Sequence, residues 1–264
     1  MSKIGIISTV EEPKHLLRLL TELGVENPIV HIDEPELKNH FLVTVCEWLI
    51  IDQPSISFDF LKLAIRNSCQ ILFLKFPRWT TDELIEIHRL CDEAKVQIFF
   101  HDELICKEQN LERIKQTTRT TLIDCNLLLA ENANAELVLF RTLLLLVMLD
   151  NSDFKRLGIT LIPPYLIDLR FNLHSSSVLR ALLQTSSQSK TSGFITLYRA
   201  QEAPHFFSLE QSTETLKNTL ESIINSNPLD KPYLPNLNHY IQVDLIINTA
   251  RKKADYADFF TEKR

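Results

Sequence analysis

At 264 residues, the chain is long enough for one large domain or two of ordinary size. A composition of 45% hydrophobic and 23% charged residues is that of a globular protein with a sizeable core, and a net charge of −6 with no basic run interleaved with aromatics excludes a nucleic-acid surface. The five cysteines (Cys46, Cys69, Cys91, Cys106, Cys125) contain no C-x-x-C and fall in apolar stretches, which predicts buried, reduced thiols in a cytoplasmic protein.

The first hundred residues alternate strand-like and helical runs, the pattern of a parallel sheet covered by helices. Lys3–Ser8 reads as the first strand, entered so early that no signal peptide is expected. Pro13–Leu23 is a helix with Leu16, Leu17, Leu19, Leu20 and Leu23 on its buried side, closed by Gly24. Pro28–Ile32 is a strand, Glu34–Asn39 at most one helical turn, Trp48–Asp52 a strand and Ser57–Asn67 a helix. Gln70–Lys75 is a strand, and Thr80–Lys95 an amphipathic helix capped by Thr80 or Thr81 with Asp82 and Glu83 in its first turn. Val96–His101 is the next strand, and the polar stretch Asp102–Arg119 marks the domain boundary.

Two domains are therefore expected, 1–118 and 119–264, the second a smaller α+β unit. Thr121–Ala130 reads as a strand, Glu136–Leu149 as an apolar helix and Leu161–Leu173 as another helix. The apolar run at Leu143–Leu149 is flanked by Arg141 and Asp150 and is too short to span a bilayer. Val178–Leu183, Gly193–Arg199 and His205–Leu209 read as strands of an antiparallel sheet, with Gln184–Ser192 a polar hairpin tip. Helices over Thr213–Asn227 and Leu237–Tyr256 are joined by the proline-rich Pro228–Pro235, and the last one can pack back on the first domain.

The first strand starts like that of a dinucleotide-binding unit, which needs G-x-G-x-x-G at once afterwards to turn tightly and admit a pyrophosphate. Here those three positions are Ser8, Val10 and Pro13, and only four glycines occur in the whole chain. Glu11 and Glu12 stand where helix N–H groups would face a phosphate. Two like unit charges about 5 Å apart at an effective dielectric near 20 repel by roughly 3 kcal/mol, more than a hundredfold in affinity. The same residues make a good helix start, with acids on the positive dipole end and a proline in the first turn. The scaffold is retained while the cofactor loop is lost.

Four runs, taken in order, carry a resemblance. They are Lys3-Ile4-Gly5-Ile6-Ile7; Leu49-Ile50-Ile51-Asp52-Gln53-Pro54 ahead of the Ser57–Asn67 helix; Ile71-Leu72-Phe73-Leu74-Lys75-Phe76-Pro77-Arg78-Trp79-Thr80; and Pro163-Pro164-Tyr165-Leu166-Ile167-Asp168. Together they resemble the Gfo/Idh/MocA family of nicotinamide-dependent sugar and alcohol oxidoreductases, over nearly the whole of a chain shorter than typical members. Members open with K-x-G-I-I-G-x-G, which the chain follows until Ser8, and their fourth strand ends in a proline-containing turn. They continue with V-L-x-E-K-P, where this chain keeps the lysine as Lys75, has Leu74 for the glutamate and displaces the proline to Pro77. Their later G-x-H-x-I-D opens a helix over the nicotinamide. Here Tyr165 replaces the histidine and Asp168 matches the acid.

The resemblance implies a fold of the α/β class, an N-terminal Rossmann-like parallel sheet followed by an α+β domain with an antiparallel sheet. It implies that Lys75, Tyr165 and Asp168 would be catalytic if the chain is active, with NAD or NADP as cofactor. The family's lysine and histidine exchange a proton with the hydroxyl or carbonyl in play. Tyr165, with an unperturbed pKa near 10, would need a cation such as Lys75 to lower it. Ser8, Thr9, Asp33, Gln53 and Pro54 are the remnants of a cofactor site. Asp33, 25 residues after Ser8, is near the usual place of the ribose-binding acid, although Asp33-Glu34-Pro35-Glu36 is also a common helix start.

With the glycines gone, the expected state is a degenerate homologue that binds no cofactor and serves as a binding or assembly module, its cleft filled by Val10, Phe76 and Tyr165. Two alternatives stay open: an active oxidoreductase on a sugar or hydroxy compound with an altered loop, and a small-ligand sensor. His101, at a strand end, reads as a hydrogen-bonded edge histidine. The remaining histidines show no metal-ligand spacing, so no metal is expected. Family members commonly oligomerise through the open face of the second-domain sheet, which implies a homodimer using Gly193–Arg199 and Phe206-Phe207. No nucleic-acid or membrane partner is expected.

Overall fold

The computed structural model describes residues 3–8, 13–26, 28–32, 44–102, 122–129, 134–149, 154–162, 166–173, 177–185, 192–198, 203–208, 215–224 and 234–253. The chain forms two compact units, Met1–Cys106 with Glu214–Asn238, and Lys107–Thr213 with His239–Arg264.

In the first unit, β1 (Ile4–Ser8), β2 (Ile29–Ile32), β3 (Trp48–Asp52), β4 (Gln70–Phe73) and β5 (Ile98–Phe100) form one parallel sheet in the order β2-β1-β3-β4-β5. Every residue of β1 is buried, as expected of a central parallel strand covered on both faces. Helices α1 (Lys14–Glu22), α2 (Phe58–Arg66) and α3 (Thr81–Ala94) alternate with the strands. Leu16, Leu19 and Leu20 of α1 are buried at the spacing of one helix face. Beyond its end, Gly24 at φ +78° donates to the Thr21 carbonyl at 3.0 Å and Val25 to the Leu20 carbonyl at 2.9 Å, the two bonds of a Schellman motif. Thr80 closes a reciprocal capping box with Glu83 at the head of α3.

The core is completed from far along the chain. Leu220 and Ile223 of α5 (Thr215–Ile224), together with Leu234, join Ile4, Ile6, Leu20, Ile50, Leu72 and Phe99 in one cluster. The chain then runs along β5. The Phe100 N–H donates to the Pro235 carbonyl at 2.8 Å, and Phe99 pairs with Asn236 in an antiparallel bridge. An edge strand that would otherwise offer free backbone groups is thereby covered.

The second unit contains β6 (Leu122–Leu129), α4 (Ala135–Leu149), β7 (Phe154–Ile162), β8 (Leu166–Leu173), β9 (Val178–Thr185), β10 (Ser192–Tyr198), β11 (His205–Ser208) and most of α6 (Leu237–Lys253). The sheet order is β11-β10-β6-β9-β8-β7, mixed through the parallel pair β6–β9 and otherwise antiparallel. Ile123, Cys125, Leu127, Leu179, Ala181, Leu183, Ile195 and Leu197 are all buried on one face. Helix α4 packs on β6 and is buried continuously over Leu143–Leu149. The opposite face exposes Phe206, Phe194, Tyr198, Val178 and Leu128.

One expected element is overturned. Leu161–Leu173 is not a helix: its residues end β7 and make β8, two antiparallel neighbours in register at Ile159 and Leu169. Within β8, Leu169 and Phe171 are buried while Arg170 and Asn172 are exposed, a two-residue period. In the sequence, each proline of the Pro163-Pro164 pair disfavours the helical region for the residue before it, which works against a helix running through Ile162 and Pro163. The turn expected at Glu34–Asn39 lies outside the described residues, as do residues 103–119 of the polar boundary and most of the Gln184–Ser192 tip.

Candidate functional site at the end of the parallel sheet

In a doubly wound sheet, the chain reverses its direction of growth between the first strand and the neighbour on its other side. The crevice beyond the strand ends at that point is where ligands bind. Here the reversal falls between β1 and β3, whose last residues, Ser8 and Asp52, are register partners. Ser8 is fully buried. Gln53, directly after β3, is 2% exposed, and its Oε1 has no hydrogen-bond partner among the described residues, whereas Pro54 is exposed.

Lys75 follows β4 and is 49% exposed. Its ammonium donates to the Asp52 carbonyl at 3.2 Å and pairs with Asp52 Oδ1 at 3.0 Å. Asp52 is a partner that sequence reasoning missed. The signal was the parallel register, which sets Ile51 beside Phe73 and so brings the two loop starts together. Phe76 stacks on Phe100 at 5.7 Å, within an aromatic group that also holds Phe73 and Trp79. His101 Nδ1 lies 2.9 Å from Thr219 Oγ1, and Thr219 donates its own hydroxyl to the Thr215 carbonyl at 3.0 Å. Thr219 Oγ1 is then the acceptor, and the His101 ring holds a proton on Nδ1.

Asp168 belongs to β8 of the second unit. Its Oδ2 accepts from Arg170 Nη2 at 2.8 Å and Nε at 3.2 Å, and its Oδ1 from Arg180 Nε at 3.2 Å. Burial works to raise the carboxyl's pKa. The hydrogen bonds and charges of the two arginines outweigh it, and the carboxyl is held below its usual range. The carboxylate thus sits in an ion cluster with two arginines on the sheet face opposite the buried one. Sequence reasoning missed both arginines because it read Leu161–Leu173, which holds Asp168 and Arg170, as a helix, and so did not set that segment beside the strand that carries Arg180. Of the remaining candidates, Thr9, Asp33 and Tyr165 lie outside the described residues, as does Val10. The structure thus brings together Ser8, Gln53, Pro54 and Lys75, with Asp52 added.

The head of α1 determines what a diphosphate would meet. Pro13 is the N-cap, with no side-chain cap, and the first turn holds no acid. The first helical N–H bond runs from Leu17 to the Pro13 carbonyl at 2.9 Å, so the turn's own donors are those of Lys14, His15 and Leu16. Pro13 contributes none, and in the sequence Glu11 and Glu12 precede it. Among the described residues, no three His, Cys, Asp or Glu side chains group as a metal site, and no helix is long and apolar enough to cross a membrane. The four described cysteines are buried thiols, and burial raises the pKa of each, Cys69 to about 11 and Cys91 to about 12.

No family model matches the sequence, and no curated protein matches it. Solved structures do. The chain is similar to UDP-N-acetylglucosamine 3-dehydrogenase GnnA from Acidithiobacillus ferrooxidans, with a TM-score of 0.71 at 10% identity over 98% of this chain and 99% of that one. It is similar to the WlbA (WbpB) dehydrogenase from Thermus thermophilus, solved with NAD and UDP-GlcNAcA, with a TM-score of 0.64 at 12% identity over 94% of each chain. It is also similar to biliverdin reductase from Synechocystis, solved with biliverdin and NADP+, with a TM-score of 0.67 at 9% identity over 97% of this chain and 99% of that one. Across its whole length the chain has the fold of the Gfo/Idh/MocA-type dehydrogenases, the family that its sequence resembles.

Proposed function

We propose that this chain is a Gfo/Idh/MocA-fold protein that works without the nicotinamide nucleotide, as a binding or assembly module pairing with a second copy through the open face of its six-stranded sheet. The observation that carries the first part is the head of α1. A proline N-cap preceded by two glutamates, with no glycine at any of the three fingerprint positions, is a donor set that does not fit a diphosphate. Phe76, packed on Phe100 at the same sheet end, supports a cleft taken up by side chains.

The pairing rests on the exposed aromatics. Phe206, at 63% exposure, flanks Thr196 across β10–β11, and Phe194 and Tyr198 lie on the same face two residues to either side. Large apolar side chains on neighbouring strands, beside an ion cluster, make a self-complementary surface that a monomer seldom leaves in water.

Two other readings each have one observation behind them. Lys75, retained and held by Asp52 at the switch point, favours an active NAD(P)-dependent oxidoreductase in which Tyr165 would supply the second proton-handling group. The unpartnered Gln53 Oε1 favours a small-ligand sensor.

Melting temperature followed against NADH and NADPH, together with mass by light scattering, separates these readings. A nucleotide at about 100 times its dissociation constant stabilises by about 2.7 kcal/mol, a rise of roughly 5–10 °C for a chain of this size. No shift at millimolar nucleotide and a dimer mass that falls to monomer in Phe194→Asp/Phe206→Asp are the expected results. A saturable shift abolished by Asp33→Ala would restore the dehydrogenase, and a monomer at tens of micromolar would remove the pairing.

A further inference from the structure

The second unit's sheet has six strands, so its midline falls between β6 and β9. One row of register partners runs straight across it: Phe206 on β11, Thr196 on β10, Asp124 on β6, Arg180 on β9, Arg170 on β8 and Gly158 on β7. Register partners share a face, so the whole row belongs to the face opposite the buried Cys125, Ala181 and Ile195. Turned end for end about the midline, the row complements itself. Asp124 comes onto Arg180, an acid onto a base, and the bulky Phe206 onto Gly158.

The side chains suit such a meeting. The Asp124 carboxylate accepts from the Asn126 amide at 3.1 Å on Oδ2, and its Oδ1 has no hydrogen-bond partner among the described residues. Arg180 gives its Nε to Asp168 and leaves both Nη groups without a partner among the described residues. Phe206 is 63% exposed, whereas Gly158 is exposed without a side chain, and a Cβ there would meet nothing nearer than 3.9 Å. In the neighbouring row, the same turn brings Leu122 onto Val178 and Tyr198 onto Asn172.

We propose that two copies pair about a two-fold axis that runs parallel to the strands between β6 and β9, setting Asp124 of each copy against Arg180 of the other. This rests on the pairing inferred above from the exposed aromatics, and adds its register. An axis crossing the strands at this row would set Asp124 on Asp124 and Arg180 on Arg180. Burying like charges against each other opposes association, whereas opposite charges across an interface favour it and fix the register. In a two-fold dimer each contact occurs twice, which doubles the preference.

Crosslinking and salt dependence in the full chain test this. Ser208 and Thr160 close the other neighbouring row at opposite edges of the sheet, in register with Phe194 and Asp168. Within one chain they are five strand spacings apart, roughly 24 Å, while facing sheets lie about 10 Å apart. Ser208→Cys/Thr160→Cys should therefore join into covalent dimers with a short bis-maleimide, and neither single variant should do so beyond the unaltered chain. The dimer dissociation constant should rise about tenfold in Asp124→Asn at about 50 mM salt, and that difference should shrink severalfold by about 500 mM. A monomer by light scattering at tens of micromolar would remove the pairing itself, and the axis with it. A dimer that the double variant does not crosslink, that either single variant crosslinks as well, or that Asp124→Asn leaves unchanged at low salt would overturn the axis and keep the pairing.

Discussion

Replacing Gly193 with alanine tests how firmly β10 is held against β6. A Cβ at this position would fall on the Asn126 carbonyl oxygen, 2.7 Å from Leu127 Cδ2 and 3.2 Å from Leu127 Cα. Carbon atoms pack best about 3.5–4.0 Å apart, so all three contacts are repulsive. The Leu127 side chain can rotate. The Asn126 carbonyl cannot, because β6 is paired on both sides, with β10 and with β9, and moving it would stretch two ladders. Overpacking of this kind costs about 1–3 kcal/mol, and contact with backbone places Gly193→Ala near the upper end, a fall in melting temperature of roughly 6–12 °C.

Two other glycines serve as controls. Gly158→Ala would bring its Cβ no closer than 3.9 Å to the Arg170 carbonyl and should change stability by less than about 0.5 kcal/mol, or raise it slightly through the unfolded chain. Gly24→Ala has open space but keeps φ at +78°, which costs about 1–2 kcal/mol. Urea unfolding, with midpoint and slope fitted separately, should rank the losses as Gly193, then Gly24, then Gly158. A Gly193→Ala protein as stable as Gly158→Ala would mean that β10 does not pair with β6 in this register.

Three further outcomes follow from single groups. Burial lowers the His239 ring from 6.5 to about 4, so the folded protein binds fewer protons than the unfolded one between those values. Stability should be full above pH 6.5 and fall by about 3 kcal/mol on the way to pH 4; urea midpoints at pH 7.5 and 4.5 should show that fall in the unaltered protein and not in His239→Leu. Asp168 has a lowered carboxyl pKa, so its contribution is present above the usual carboxylate range and is lost as pH falls through the lowered value. Asp168→Asn should cost about 1–3 kcal/mol at pH 7 and progressively less below pH 4, which paired urea melts would check. Thr80→Ala removes the reciprocal cap of α3 and should cost about 1 kcal/mol, with amide exchange at Glu83 and Leu84 rising first.

Much of the fold was legible because local chemistry agrees with tertiary placement. The buried run at Ile4–Ser8, the leucine spacing of α1 with Gly24 beyond it, and the Thr80–Glu83 cap are all decided within a dozen residues of themselves. The β7–β8 pair was not legible, since the apolar density of Leu161–Leu173 suits either a helix or a buried strand and only the Pro163-Pro164 break argues between them. Lys75 and Gln53 could be named from their motifs. The partner of Lys75 could not, because Asp52 comes from the neighbouring strand β3.

From residue order alone came the alternation of elements, the lost glycine fingerprint at Ser8, Val10 and Pro13, and the resemblance that places Lys75 at a strand end. These rest on short-range spacing, which a linear chain records. Tertiary structure alone decided that Asp168 lies between Arg170 and Arg180 in a strand, that Leu220, Ile223 and Leu234 finish the first unit's core, and that His88 meets Asn238. Each of these unites residues that become neighbours only once strands and helices have found partners distant in sequence, and no local propensity encodes that pairing.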